Sequence, residues 1–261
     1  MSGLNYSETE KKLNIRIRAH TAYANFSLED WILTWLGKVA GYRLLEIGCG
    51  DGNFFPTYAQ ALGRRGSIIG FDLNLNLLAK ARELERCLAT PIMVFRWDFD
   101  DHPYPLLDEE ADILIAPFSA YYSRAVPEWV EDSMRVIKRG GRLLLLGPTR
   151  DNARELYELN EIITGIRSVP ETDETSGKLE EYFLPELKKK LGTSVNRIIL
   201  DRQIAFPSPE EFSRYYLATW LYEKTQEKIG SPIEFDRVLQ AAKKTSLKLS
   251  KRVVCLAARK G

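Results

Sequence analysis

The chain has 261 residues, 44% hydrophobic and 28% charged, enough for one large domain or a domain with an insertion. Its 37 basic and 36 acidic residues leave a net charge of +1, which offers no field for a nucleic acid or an anionic membrane. No apolar run approaches the ~20 residues of a membrane span, and the polar, charged start shows no signal-peptide pattern. Three scattered cysteines (Cys49, Cys87, Cys255) and two histidines make neither a disulfide framework nor a structural zinc site, so a reduced, cytoplasmic environment is expected.

Residues 1–19 are polar, with a basic alternation at Arg16, Ile17 and Arg18. A helix is predicted over 28–38, where Leu28, Trp31, Ile32, Trp35 and Leu36 fall at helical spacing and Ser27 can cap. The approach from His20 to Phe26 either packs beside the sheet or covers the ligand turn as a lid. From residue 43 strands and helices alternate. Strands are predicted at 43–47, 67–71, 92–97, 111–116 and 142–146, and helices at 53–62, 74–87 and 126–138. Strands apolar on both faces between helices mean a parallel sheet covered on both sides. After Gly147-Pro148 the pattern changes: a helix at 151–165, a solvated polar loop at 167–181 and a helix at 182–191. A strand at 195–205, one helix from Pro209 to about 223, another near 232–244 and a strand at 251–258 complete the chain.

The chemistry centres on Leu44-Leu45-Glu46-Ile47-Gly48-Cys49-Gly50-Asp51-Gly52. A buried strand runs into a turn with alternate glycines and then a helix, so a nucleotide-like ligand can approach bare backbone. This is not the dinucleotide fingerprint, because Asn53 stands where its third glycine belongs. Two acids reinforce the turn. Asp72 closes the second strand, where a carboxylate can accept both hydroxyls of a ribose. Asp98 follows the third strand between Trp97 and Phe99, where a carboxylate can accept from an exocyclic amine and an aromatic neighbour can cover a purine.

These segments resemble the class I S-adenosylmethionine-dependent methyltransferases, of the small-molecule type similar to the ubiquinone-biosynthesis enzymes. LLEIGCGDG is similar to their first motif, GFDLN to the acidic end of their second strand, RWDFDDHPYPLLDEEADILIAP to their third and fourth strands, and VIKRGGRLLLLGP to the approach to their fifth. The resemblance covers about 42–148, and the last two strands in topology only. It implies an α/β, Rossmann-like seven-stranded sheet in the order 3-2-1-4-5-7-6, last strand antiparallel, with helices on both faces and a helical lid. The implied organisation is a helical lid segment at 1–40, a cofactor-binding core at 41–148, a helical insertion forming part of the lid at 149–194, and 195–261 completing the sheet.

The resemblance also implies S-adenosylmethionine as cofactor and a small-molecule acceptor. Glu46, Gly48, Cys49 and Gly50 would line the methionine and ribose side, Asp72 would hold the ribose hydroxyls with Leu73 against adenine, and Asp98 and Phe99 would bind the adenine. Ala116 and Pro117 would lie beneath the sulfonium, and Tyr23 would reach the methionine carboxylate. Ala116-Pro117-Phe118-Ser119 departs from the Asn/Asp-Pro-Pro-aromatic motif of enzymes that methylate planar nitrogens, which lowers DNA-adenine and glutamine methylation. His20 is a candidate general base because its ordinary pKa lies near neutrality. Tyr121 and Tyr122 are candidates to face the acceptor, Tyr122 as a catalytic residue. His102 reads as a loop histidine, and Phe212, Tyr215, Tyr216 and Trp220 as a buried helical stripe or an acceptor wall. No metal is expected. A nicotinamide-dependent oxidoreductase, a binding protein without catalysis, and a protein or RNA methyltransferase stay open. Acceptor identity, acceptor atom and oligomeric state are not encoded in any motif.

Overall fold

The computed structural model describes residues 10–261. Its seven strands are β1 (Arg43–Ile47), β2 (Ser67–Asp72), β3 (Ile92–Arg96), β4 (Ala111–Pro117), β5 (Ile137–Pro148), β6 (Val195–Ala205) and β7 (Lys248–Arg259). They form one mixed sheet in the expected order, β3-β2-β1-β4-β5-β7-β6. The pairs β1–β2, β2–β3, β1–β4 and β4–β5 are parallel, with Leu45 opposite Ile69 on one side and Leu114 on the other. The order reverses direction at β1. Loops leaving the C-terminal ends of β1 and β4 therefore diverge, and the crevice between them is where doubly wound sheets bind ligands.

Eleven helices accompany the sheet among the described residues: α1 (Glu10–Ala22), α2 (Leu28–Leu36), α3 (Phe55–Leu62), α4 (Leu75–Glu83), α5 (Val126–Val136), α6 (Arg154–Thr164), α7 (Pro170–Thr175), α8 (Leu184–Leu191), α9 (Pro209–Leu217), α10 (Trp220–Ile229) and α11 (Phe235–Ala242). The chain groups into two compact units. Of the described residues, the larger takes in 28–147, 178–199 and 254–261; the smaller takes in 10–27, 148–177 and 200–253. These groupings cut across the four expected segments: α2 belongs to the larger unit, and the insertion divides at residue 177.

The larger unit is built on the sheet. Leu45, Ile47, Ile69, Phe71, Leu114, Leu143 and Leu145 are buried with Trp129 and Val130 of α5 and with Leu179, Phe183 and Leu187. The smaller unit has its own apolar centre, in which Leu156, Leu159 and Ile163 of α6 join Phe206, Phe212, Tyr215, Tyr216 and Leu249. The Phe212, Tyr215 and Tyr216 stripe is thus core.

Residues 10–22 form a helix, α1, inside the segment expected to be a helical lid. Three expectations need correction. The segment 167–181 is not a solvated loop: Pro170 starts α7, and Leu179–Phe183 form a π-helical turn. Thr172, Thr175, Leu179 and Phe183 are buried there, so a charged composition concealed an inward face. The helix expected from 209 to 223 breaks after Leu217. Thr219 adopts an extended backbone, and its hydroxyl donates to Tyr216 O and accepts from Tyr222 N, ending α9 and capping α10. β5 starts at Ile137, directly after α5, rather than at Arg142.

Candidate active site

The glycine turn grows out of β1. Gly48, Gly50 and Gly52 all have positive φ (73°, 57° and 78°), the region that favours glycine. Their roles differ. A Cβ on Gly48 would lie 2.3 Å from Ser119 Cβ, and one on Gly52 would lie 2.8 Å from the Phe55 ring and 2.9 Å from Leu84. Those two glycines make room for the protein itself. A Cβ on Gly50 would meet only Leu77, at 3.9 Å, so Gly50 is where the turn leaves open space.

Ser119 was not singled out from the sequence, where it appeared only as part of a departure from a nitrogen-methylase motif. Its hydroxyl donates to Ile47 O, joining the end of β4 to the end of β1. The preceding Phe118 has φ 57°, an uncommon conformation for a bulky side chain. Cys49 donates its backbone N–H to Phe71 O and packs its side chain on Gly70, whose own Cβ would come within 2.7 Å of Cys49 Sγ. Burial, reinforced by Glu46 and Asp72, pushes the Cys49 thiol far up and keeps it protonated.

Three acids follow at the C-terminal ends of adjacent strands. Glu46 is 2% exposed, and its Oε2 has no hydrogen-bond partner among the described residues. Burial raises its pKa well above the ordinary carboxylate value. The Tyr58 hydroxyl opposes that rise, and the Asp72 and Asp51 charges add to it. Asp72 Oδ2 accepts from Gly50 N at 2.9 Å and Oδ1 from Asn74 N at 2.8 Å. A carboxylate has about four acceptor sites, so capacity remains for two hydroxyls. Burial raises Asp72 as well, against the three backbone donors of Asn74, Gly50 and Leu73. Leu73 is 50% exposed beside it. Asp98 accepts from Asp100 N at 3.0 Å, and Phe99 packs its side chain on the core while its carbonyl accepts from the Tyr104 hydroxyl at 3.3 Å.

The loop carrying Asp98 and Phe99 is clamped by two further acids. Asp100 accepts from the Ser123 hydroxyl at 2.5 Å and from Arg124 N at 2.9 Å. Asp132, buried on α5, accepts from Tyr104 N at 2.5 Å, His102 Nδ1 at 3.2 Å and Arg135 Nε at 2.6 Å. Arg135 also donates to the carbonyls of Leu106 and Tyr104. An acid on the Trp129–Val136 face of a helix was the available signal for this clamp.

Pro117 ends β4 and is buried. Tyr122 is partly buried, with its ring 4.5 Å from that of Tyr121. His20 and Tyr23 belong to the smaller unit. The His20 Nε2 lies 3.1 Å from the Tyr215 hydroxyl, and the Tyr23 ring stands edge-on to Phe206. Among the described residues, no group of three His, Cys, Asp or Glu side chains is arranged to hold a metal, and no helix is long and apolar enough to cross a membrane.

The residues at the turn fit a cationic nucleoside. An orphaned carboxylate oxygen at Glu46 suits an ammonium donor, Asp72 has acceptor capacity to spare, and Gly50 leaves space. Residues 44–141 match the family described as "Methyltransferase domain". A 2-phytyl-1,4-naphtoquinone methyltransferase of Synechococcus elongatus is 28% identical over 130 residues, 49% of this chain and 55% of that protein. The ubiquinone/menaquinone biosynthesis C-methyltransferase UbiE of Pseudomonas putida is 29% identical over 129 residues, 49% of this chain and 48% of that protein. The chain thus spans about half the length of the curated relatives it matches.

Among solved structures, YcgJ of Bacillus subtilis aligns at TM-score 0.56 and 14% identity, covering 89% of this chain and 97% of that one. Geranyl diphosphate C-methyltransferase of Streptomyces coelicolor, solved with Mg2+, geranyl diphosphate and S-adenosyl-L-homocysteine, aligns at 0.54 and 13%, covering 98% and 86%. These likenesses show the fold. With the motifs, the sheet order and the matched domain together, residues 44–141 carry a methyltransferase domain, and the chain is similar to the class I S-adenosylmethionine-dependent methyltransferases.

Proposed function

We propose that the protein transfers a methyl group from S-adenosylmethionine to a small-molecule acceptor. The observation that carries this reading is the placement of Glu46, Asp72 and Asp98 at the ends of three adjacent parallel strands, around a turn open at Gly50. The names of the two curated relatives concern a phytyl naphtoquinone and ubiquinone/menaquinone biosynthesis, which supports a small-molecule acceptor and methyl transfer over hydride transfer. The near-neutral chain charge supports the same class over nucleic acid.

The bound cofactor supplies a methyl group already activated on a sulfonium. The protein's part is then to bind and orient. Glu46 accepts from the amino group, and its raised pKa falls as that cation replaces lost solvation. Asp72 accepts from the ribose hydroxyls while Gly50 N and Asn74 N hold its carboxylate in place. Asp98 accepts from the adenine amine, and Leu73 and Phe99 cover the ring. Pro117 and Tyr122, at and after the end of β4, border the acceptor side.

Calorimetry with S-adenosylmethionine and with NAD tests the reading, followed by labelled methyl transfer to a panel of small quinols. Binding of S-adenosylmethionine that is lost in Asp72→Ala is expected. Equal binding by wild type and Asp72→Ala, or preference for NAD, overturns it.

A further inference from the structure

Beyond β3 the chain makes a tight turn within the larger unit, and one residue of that turn bonds in two directions. Asp101 N donates to Asp98 O at 2.9 Å, and Asp100 N donates to Asp98 Oδ1 at 3.0 Å. The second bond is the Asx arrangement, in which a short acid accepts from the backbone two residues on. It uses one acceptor position of the Asp98 carboxylate and orients the others.

The side chain of Asp100 bonds elsewhere. Its Oδ1 accepts from Ser123 Oγ at 2.5 Å, its Oδ2 accepts from Arg124 N at 2.9 Å, and Arg124 Nε stands 3.7 Å from Oδ2. That side chain is only 13% exposed. Hydrogen bonds to a full charge, made largely out of water, are the strong ones. The anchor is itself fixed. Ser123 is fully buried, its N–H donates to Ala120 O at 2.9 Å, and its Oγ accepts from Ala125 N at 3.2 Å.

This anchor lies just past the C-terminal end of β4. The segment that carries Tyr121 and Tyr122 is bracketed by two serines. Ser119 Oγ donates to Ile47 O at the end of β1, and Ser123 Oγ donates to the turn after β3. Asp132 grips the same loop further on, at His102 Nδ1 and Tyr104 N. A turn closed by its own backbone has no local use for a carboxylate bonded to a different loop. That carboxylate sets where the turn sits relative to the sheet.

We infer that Asp100 is a positioning residue for recognition of the purine amino group. Its N–H orients the Asp98 carboxylate, and its own carboxylate fixes the turn against the segment that follows β4. The inference rests on the reading of Asp98 as the adenine contact, and adds a residue that acts through Asp98. An acceptor tells a donor from another acceptor only while it is held in place. Once the turn is released, the Asp98 carboxylate rotates toward water and the discrimination is lost.

The test is calorimetry of the full chain with S-adenosylhomocysteine and with S-inosylhomocysteine, which has an oxygen in place of the amino group. Wild type is expected to prefer the adenosyl compound about 10-fold to 100-fold, the worth of one charge-assisted hydrogen bond. Asp98→Ala abolishes that preference. Asp100→Ala keeps the N–H but frees the anchor, and brings the preference within about threefold by weakening the adenosyl compound alone. A role confined to folding lowers both affinities alike and leaves their ratio unchanged. Where thermal unfolding shows that Asp100→Ala does not fold, Ser123→Ala, which keeps the Arg124 N bond, is expected to reduce the ratio by more than about half. No binding or no preference in wild type, or an unchanged preference in Asp98→Ala, overturns the adenine reading and this inference with it. Loss of preference in Asp98→Ala with an undiminished ratio in Asp100→Ala, or in Ser123→Ala in its place, overturns this inference and leaves that reading standing.

Discussion

The two compact units hold perturbed ionisable groups of opposite sign. Near the turn of the larger unit these are acids, the buried Glu46 and the partly buried Asp72, raised above their ordinary pKa chiefly by desolvation. In the smaller unit they are bases, the partly buried His20 and Lys251, lowered by desolvation and by neighbouring cations. Each set is held away from its favoured ionisation state. The difference is the sign of the charge that each set resists taking.

A third group of buried charge is different again, and removing it gives the largest expected effect. Asp132 is a buried acid already satisfied by Tyr104 N, His102 and Arg135. Asp132→Ala leaves those donors unpaired and costs about 3 kcal/mol of stability, measurable by urea unfolding. A loss under ~1 kcal/mol would mean that Asp132 resembles the strained acids rather than contrasting with them. Gly48→Ala follows. It meets both a positive φ and Ser119, and is expected to destabilise by about 2–3 kcal/mol and to weaken cofactor binding. Adding Ser119→Gly should recover the packing part but not the backbone part, which denaturation of the double variant reads directly.

Asp72→Asn keeps the shape while removing the charge. It should weaken S-adenosylhomocysteine roughly 10-fold to 100-fold by calorimetry, the worth of one or two charge-assisted hydrogen bonds. An affinity within twofold of wild type would remove Asp72 from the site.

The smallest effect is the most direct measure of the contrast. A raised carboxyl binds more protons folded than unfolded, so Glu46 and Asp72 lower stability as pH rises from ~4 through their folded values. Lys251 binds fewer protons folded than unfolded. Its contribution therefore rises with pH from about 7 up to the unfolded lysine value near ~10.4. Glu46→Gln should flatten the first slope and leave the second, and Lys251→Met should do the reverse. Profiles of Tm against pH for the two variants check both signs.

The parallel sheet and its ligand end were legible because they rest on local pattern, whereas the strand order followed from the family resemblance. Apolar β-strand runs such as Leu143–Leu146, separated by helical periods, state a parallel sheet wherever the rest of the chain lies. Glu46, Asp72 and Asp98 stood out because each lies at or just beyond the C-terminal end of such a strand. The 167–181 segment was misread because Leu179 and Phe183 are isolated apolar residues in a charged run, and only the packed core shows which way they face. Thr219 hid within a continuous aromatic stripe, and its cap became visible only with backbone angles.

The amino-acid sequence by itself determined the alternation of strands and helices, the glycine turn and the acids beside it, because periodicity and positive φ are properties of short stretches. Tertiary structure alone decided which glycine leaves open space, since Gly48 and Gly52 yield to Ser119, Phe55 and Leu84 while Gly50 yields to nothing. It also brought His102 and Arg135 onto Asp132. Charges far apart in the chain interact only when folding closes the distance and removes the water between them.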